Sequence, residues 1–178
     1  MTKVSMIVAI GPNNIIGYKD KLAWTSKADL KHFKDITLNK PILMGSTTFE
    51  GLPKAPLPNR LNIVLDNNVQ SFLNIYGVMT ETGGYIKANS IENALTFCKH
   101  FDEVFICGGA SIYKYCMEHN LIDKAYITKI YCSLEEKEYV YFPVDINEYF
   151  NYNFWDAHLE DVQNEDDKML EFWTCTKK

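Results

Sequence analysis

Four short apolar runs do most to limit the folds open to this chain. They are Val4–Ile10, Pro41–Met44, Ile63–Leu65 and Val104–Cys107, and each stops at a glycine or an aspartate. None alternates polar with apolar residues, which is the pattern of a strand buried on both faces. Ala125–Ile130 and Tyr139–Phe142 add further strands, and Ile15-Ile16-Gly17 a brief one. Between the runs lie helical patterns. Ser26 opens a helix with Leu30, Phe33 and Ile36 on one face, Thr47–Gly51 forms a short one, and another starts near Ala110. Ser90 caps a helix that turns Ile91, Ala94, Leu95 and Cys98 inward. Gly83-Gly84 marks a turn before Tyr85-Ile86. Near the C-terminus, Phe154–Leu159 and Met169–Cys175 flank Asn164-Glu165-Asp166-Asp167, a hairpin with an acidic tip. The expected fold is α/β: one domain over residues 1–178, with a central mixed, mostly parallel sheet, flanking helices and a C-terminal antiparallel hairpin.

The charge is −5 overall and uneven. Residues 1–60 carry nine Lys/Arg against four Asp/Glu, and the remainder nine against nineteen. An acidic protein is a poor general nucleic-acid binder, but its basic N-terminal third suits a small anion. Five cysteines without a C-x-x-C pair resemble neither a zinc site nor a disulfide framework, and suit a reducing cytoplasm. The four histidines share no metal spacing, and His32 is expected to be exposed opposite Leu30 and Phe33. The opening apolar run is too short for a membrane span. Phe154, Trp155, Phe172 and Trp173 are expected in the core.

Three features could carry chemistry, and each has a plainer reading. Arg60 is the only arginine among eighteen cationic side chains. Its planar fork can grip a carboxylate or phosphate through two parallel bonds, or it can be a surface cation. Ser26-x-x-Asp29 is a capping-box pattern in which Asp29 helps the helix begin. Alternatively, Asp29 is a carboxylate among Trp24, Leu30 and Phe33, with a raised pKa and the capacity to bind an amidine-like group. Gly108-Gly109 lies between a buried strand and a helix, either as a tight turn or as a phosphate cradle. Gly45, Asp66 and Gly108 all follow strands, so the suspected sites fall on one sheet edge.

The blocks Trp24–Lys34, Lys40–Gly45, Thr47–Glu50 and Ile106–Tyr113, in this order and spacing, resemble dihydrofolate reductase from about Val4 to Pro143. The resemblance implies hydride transfer from NADPH to C6 of dihydrofolate, with protonation at N5. It implies that Asp29 holds the pterin, that Thr128 hydrogen-bonds this carboxylate, and that Trp24 stands beside a flexible loop, about Gly11 to Ser26. Arg60 would grip the glutamate tail. Leu30, Phe33, Leu52 and Leu57 would wall the rings, and the Ile7 and Cys107 carbonyls would meet the pterin. Ala9 and Ile16 would contact the nicotinamide amide.

Gly45, Ser46, Thr47, Thr48, Leu65, Asp66, Asn67, Lys87, Gly108, Gly109, Ala110, Ser111, Ile112 and Tyr113 would hold the rest of the cofactor. Residues of about 40–100 would form an adenosine-binding subdomain. The expected partners are dihydrofolate and antifolate-type small molecules, with no nucleic acid and no membrane, and the protein would be a cytoplasmic monomer. A same-fold reductase of a ribosylated pyrimidine and a non-catalytic folate- or nucleotide-binding protein are the alternatives.

The chain departs from the pattern in places. Ser46 stands where a basic residue near the 2′-phosphate is common, Asp66 where serine is usual, and Ser111 where some members have arginine. Ala23 replaces a proline. The acid that latches the loop is missing or displaced to Glu138.

Overall fold

In the computed structural model, residues 1–19, 21–66 and 84–178 are described. The elements in chain order are β1 (Lys3–Ile10), β2 (Ile15–Gly17), α1 (Lys27–Thr37), β3 (Pro41–Gly45), α2 (Ser46–Glu50), β4 (Leu61–Leu65), β5 (Gly84–Ala88) and α3 (Ile91–Thr96). Then come β6 (Glu103–Ile106), α4 (Ala110–Glu118), β7 (Lys124–Tyr131), β8 (Val140–Tyr141), α5 (Ile146–Tyr149), β9 (Trp155–Glu165) and β10 (Lys168–Lys177). Eight strands form one sheet in the order β5-β4-β3-β6-β1-β7-β10-β9. β5 through β7 run parallel, and β10 pairs antiparallel with both β7 and β9. The fold is therefore the one expected.

The four apolar runs are central because both of their faces are covered. Met6, Val8, Ile10, Val104, Ile106 and Ile127 pack with Ala94, Cys98, Tyr113 and Cys116 on the α3/α4 side. Ile7, Ile42, Met44 and Phe105 pack with Phe33 and Ile36 of α1 on the other. The predicted hairpin strands are real but longer, and the turn narrows to Asp166 and Asp167. Phe154 is the exception to the expected aromatic core: it is 68% exposed, one residue before β9 begins.

β2 is not in the main sheet. It pairs with β8, Ile15 opposite Tyr141 and Gly17 opposite Val140. The Phe142 N–H donates to the Asn14 carbonyl at 2.7 Å. Tyr18 stands edge-on to Tyr139 at 5.9 Å, with Lys137 Nζ 5.4 Å from its ring. The segment between β1 and α1 is thus tied to the 137–142 segment.

A part-buried ionic cluster holds the N-terminal ends of β1 and β6 together. Glu103 accepts from the Ser5 hydroxyl at 2.5 Å and from Lys40 Nζ at 2.8 Å. Burial pushes the Glu103 carboxyl up, but hydrogen bonds from Lys40 and Ser5 more than offset this, so it lies below its ordinary value. A depressed carboxyl stabilises the fold above its unfolded pKa, and that stability is lost as pH falls through the folded value. Lys40→Met should therefore lower stability at pH 7 by about 1–2 kcal/mol, discounted because Lys40 is part-exposed. The deficit should shrink as the buffer falls below pH of about 4. Thermal melts at both pH values check this, and an equal deficit at both would mean that packing, not charge, is responsible.

Candidate active site

The parallel strands share one C-terminal edge, and the suspected residues collect there. The β1–β6 ladder ends at the Met6–Ile106 pair, while β1 runs on to Ile10 beside β7. The sheet therefore parts beyond Ile7 and Ile106, the usual place for a ligand in an open α/β sheet. Ile7 and Cys107 stand on either side, packed in one cluster with Phe33, Leu52 and Leu57.

α1 covers this opening. Ser26 is its N-cap, and its hydroxyl accepts the Asp29 N–H at 3.1 Å. This is half of a capping box. The other half would need the Asp29 carboxylate to turn back, but that carboxylate meets Thr128. Thr128 lies between Ala9 of β1 and Phe172 of β10. Asp29 is 8% exposed. Burial raises its pKa from 3.8 to about 6, with Thr128 opposing the rise and the Glu165 charge adding to it. Such a carboxyl changes charge near neutral pH.

Two expectations for α1 need correcting. Leu30 is 55% exposed, because Asp29, Phe33 and Ile36 occupy the buried stripe and Leu30 falls outside it. His32 is half-buried, with its ring 4.3 Å from that of Phe172, and burial lowers its pKa. The hairpin strand β10 covers a helix face that wheel counting left open.

Trp24 is buried with Ile15, Ile130, Leu170 and Phe172. A Cβ on Gly11 would stand 2.8 Å from its ring, so only glycine lets the chain after β1 lie on the indole. Trp24 Nε1 is a buried donor without a partner among the described residues. A buried orphan donor is costly unless water or a ligand meets it.

Arg60 is 3% exposed, not a surface cation. Its Nε donates to the Pro58 carbonyl at 2.9 Å and its Nη1 to Thr37 Oγ1 at 3.3 Å. Burial lowers its pKa. Sequence reasoning missed its supports. Asn62 is fully buried; its Oδ1 accepts from the Leu57 N–H, and its Nδ2 donates to the carbonyls of Leu57, Arg60 and Gly84. One amide so fixes the loop that carries Leu57 and Arg60. The available signal was an asparagine inside the apolar run Leu61–Leu65.

A second cluster of predicted residues surrounds the start of α4. Gly108 has φ +108°, and a Cβ there would stand 3.4 Å from the Tyr113 hydroxyl. A Cβ on Gly109 would stand 3.3 Å from Thr48 Oγ1, and one on Gly45 3.6 Å from Ile112. The Gly45 N–H donates to the Gly108 carbonyl at 2.9 Å, and Tyr113 donates to the Ile7 carbonyl at 2.8 Å. Gly109 caps α4 without a side-chain bond and its carbonyl takes the Ile112 N–H at 3.1 Å, so the N–H groups of Ala110 and Ser111 are the ones that can meet an anion. Ser46, Thr47 and Thr48 begin α2 directly after β3. Leu65 ends β4, and Asp66, the next residue, forms an ion pair with Lys87 of β5 at 3.2 Å. Ile16 is buried in the core on the α4 side. Asn67 lies outside the described residues. Among those described, no cluster of His, Cys, Asp or Glu is arranged to hold a metal, and no helix is long and apolar enough to cross a membrane.

The comparisons with known proteins agree with one another. The dihydrofolate reductase family model matches residues 3–176. A dihydrofolate reductase of Buchnera aphidicola is 39% identical over 152 residues, covering 85% of this chain and 83% of that protein. One of Haemophilus influenzae is 32% identical over 164 residues, covering 92% and 90%. A solved dihydrofolate reductase from Enterococcus faecalis, complexed with NADP(H) and RAB-propyl, aligns with TM-score 0.74 at 25% identity, over 98% of this chain and 96% of that one. With this sequence match across nearly its whole length and the same fold, the chain belongs to the dihydrofolate reductase family.

Proposed function

We propose that this chain reduces 7,8-dihydrofolate to tetrahydrofolate with NADPH, and that the cleft between Asp29 and Arg60 takes the substrate. The observation that carries the reading is the buried Asp29, turned toward Thr128 within a fold of this family. Asp29 orients the pterin through its 2-amino and N3 groups. Ile7, Phe33, Leu52, Leu57 and Cys107 exclude water from the rings, with Leu30 at the exposed rim. Arg60 anchors the glutamate tail from a guanidinium already fixed by Pro58 and Thr37. No side chain is assigned to N5. Trp24 Nε1, without a partner among the described residues, can orient a water near the pterin, and the rest is positioning and electrostatics.

The residues present fit the cofactor. The glycine cradle and the open first turn of α4 suit its phosphates, with Thr48 beside them. When bound, NADPH supplies the hydride. We also read the chain as one cytoplasmic, monomeric domain, with residues of about 40–100 as its adenosine-binding part. The five free cysteines support the compartment. Loss of the reduced nicotinamide's near-ultraviolet absorbance, when pure protein is mixed with NADPH and dihydrofolate, tests the reading. No loss would overturn it.

The preference for NADPH should be softened. Ser46 offers only a hydroxyl to a 2′-phosphate, and Lys87 is engaged by Asp66. Ser46→Arg should raise kcat/KM for NADPH about tenfold, as expected of one charge-assisted bond, and leave NADH unchanged. Equal gains for both cofactors would place the phosphate elsewhere.

A further inference from the structure

Glu165 is the last residue of β9, and its carboxylate lies against the first turn of α1. Oε1 accepts the Lys27 N–H at 2.7 Å and the Ala28 N–H at 3.2 Å, and Oε2 accepts the Ser26 hydroxyl. Ser26 Oγ in turn accepts the Asp29 N–H. A helix leaves its first N–H groups without internal partners, and its N-terminus favours an anion. Here one carboxylate and one hydroxyl together take the N–H groups of three consecutive residues, ending at Asp29. The carboxylate comes from the far end of the chain.

The same hairpin acts on Asp29 from a second side. β10 pairs Phe172 with Thr128, the residue that meets the Asp29 carboxylate, and Phe172 packs on His32 of α1. The hairpin thus holds the backbone that presents Asp29 and the strand that faces it.

We propose that Glu165 is a positioning residue for the reaction, docking the β9–β10 hairpin on the first turn of α1 and fixing the backbone from which Asp29 is presented. The proposal rests on the Asp29 reading above. Glu165 also contributes charge. Its own carboxyl is held low, chiefly by the Ser26 hydroxyl with the Lys27 and Ala28 N–H groups, so it is an anion at neutral pH. Lys168 is the cation acting on it. Around Asp29 stand neutral Thr128 on β7, Glu165 on the hairpin, and Tyr113 on α4, whose phenol burial keeps protonated. On α1 itself, His32 faces Asp35 and, from β9, Asp161.

Two variants test this by stopped-flow hydride transfer across pH, with thermal melts alongside. Glu165→Gln keeps an acceptor for Lys27 and Ala28 but loses the charge. Its plateau rate should survive, and the Asp29 inflection should move to lower pH, because one of the influences raising that carboxyl is gone. Glu165→Ala loses the acceptor too, and kcat should fall about tenfold while KM for NADPH holds. If both variants melt earlier but keep the wild-type pH profile and kcat, Glu165 is a structural cap only and the proposal fails. Should Glu165→Ala not fold, the Glu165→Gln profile alone decides. Near-normal turnover by Asp29→Asn would instead overturn the Asp29 reading. A collapse of Asp29→Asn beside an unmoved Glu165→Gln profile would sink the Glu165 proposal alone.

Discussion

Asp29→Asn is expected to slow dihydrofolate turnover by about 10²–10³-fold and, at pH 7, to make the protein melt at a higher temperature. The two effects share a cause. Burial raises the Asp29 pKa to about 6, with Thr128 pulling it down and Glu165 pushing it up. A carboxyl with a raised folded pKa contributes stability below its unfolded value of 3.8 and loses it as pH rises through about 6. Above that, keeping the ionised group buried costs about 3 kcal/mol. Asn has the same shape, stays neutral and can still accept from Thr128. The cap of α1 is not disturbed, since it uses the Asp29 N–H and not its side chain. The gain in melting temperature should disappear by pH of about 4, where Asp29 is itself protonated. Near-normal turnover with a lowered melting temperature would leave the Asp29 carboxylate a structural partner of Thr128 and overturn its role in the reaction.

Arg60→Lys should weaken dihydrofolate binding by about 2 kcal/mol, or about thirtyfold, and leave a pteridine lacking the glutamate tail nearly unaffected. The guanidinium is held at Nε by Pro58 and at Nη1 by Thr37, so its orientation is set within the protein. A lysine ammonium is a compact point charge that cannot meet both and also grip a carboxylate with two bonds. Isothermal titration with both ligands separates the possibilities. Equal losses would show that the substitution disturbs the loop rather than a tail contact, since Asn62 bonds the Arg60 and Leu57 carbonyls.

The strands were legible because burial on both faces leaves an uninterrupted apolar run, as in Pro41–Met44. The start of α1 was legible because Ser26 caps it locally. What lay between distant segments was not. Glu165 meets Ser26 from 139 positions away, and nothing in an acidic hairpin tip says which helix it will cap. The Asp66–Lys87 pair depends on the β4–β5 register, which places Val64 opposite Lys87. Leu30 was misjudged because polar Asp29 takes a place in the buried stripe of α1, and His32 because β10 covers its side of the helix. Apolar spacing does not show that a carboxylate will share the buried stripe, nor which distant strand will cover the rest of the helix. Phe154 shows the same limit, as its hydrophobicity does not say that β9 begins one residue later.

The tether between β2 and β8 is made of main-chain atoms, from the Asn14 carbonyl to the Phe142 N–H and across the Ile15–Tyr141 pairing. A bond of that kind is indifferent to which side chains flank it. Ile15, Val140 and Tyr141 can therefore be exchanged for other side chains while the loop beside Trp24 stays moored. Proline is the change such a mooring does not survive, because it deletes the N–H itself.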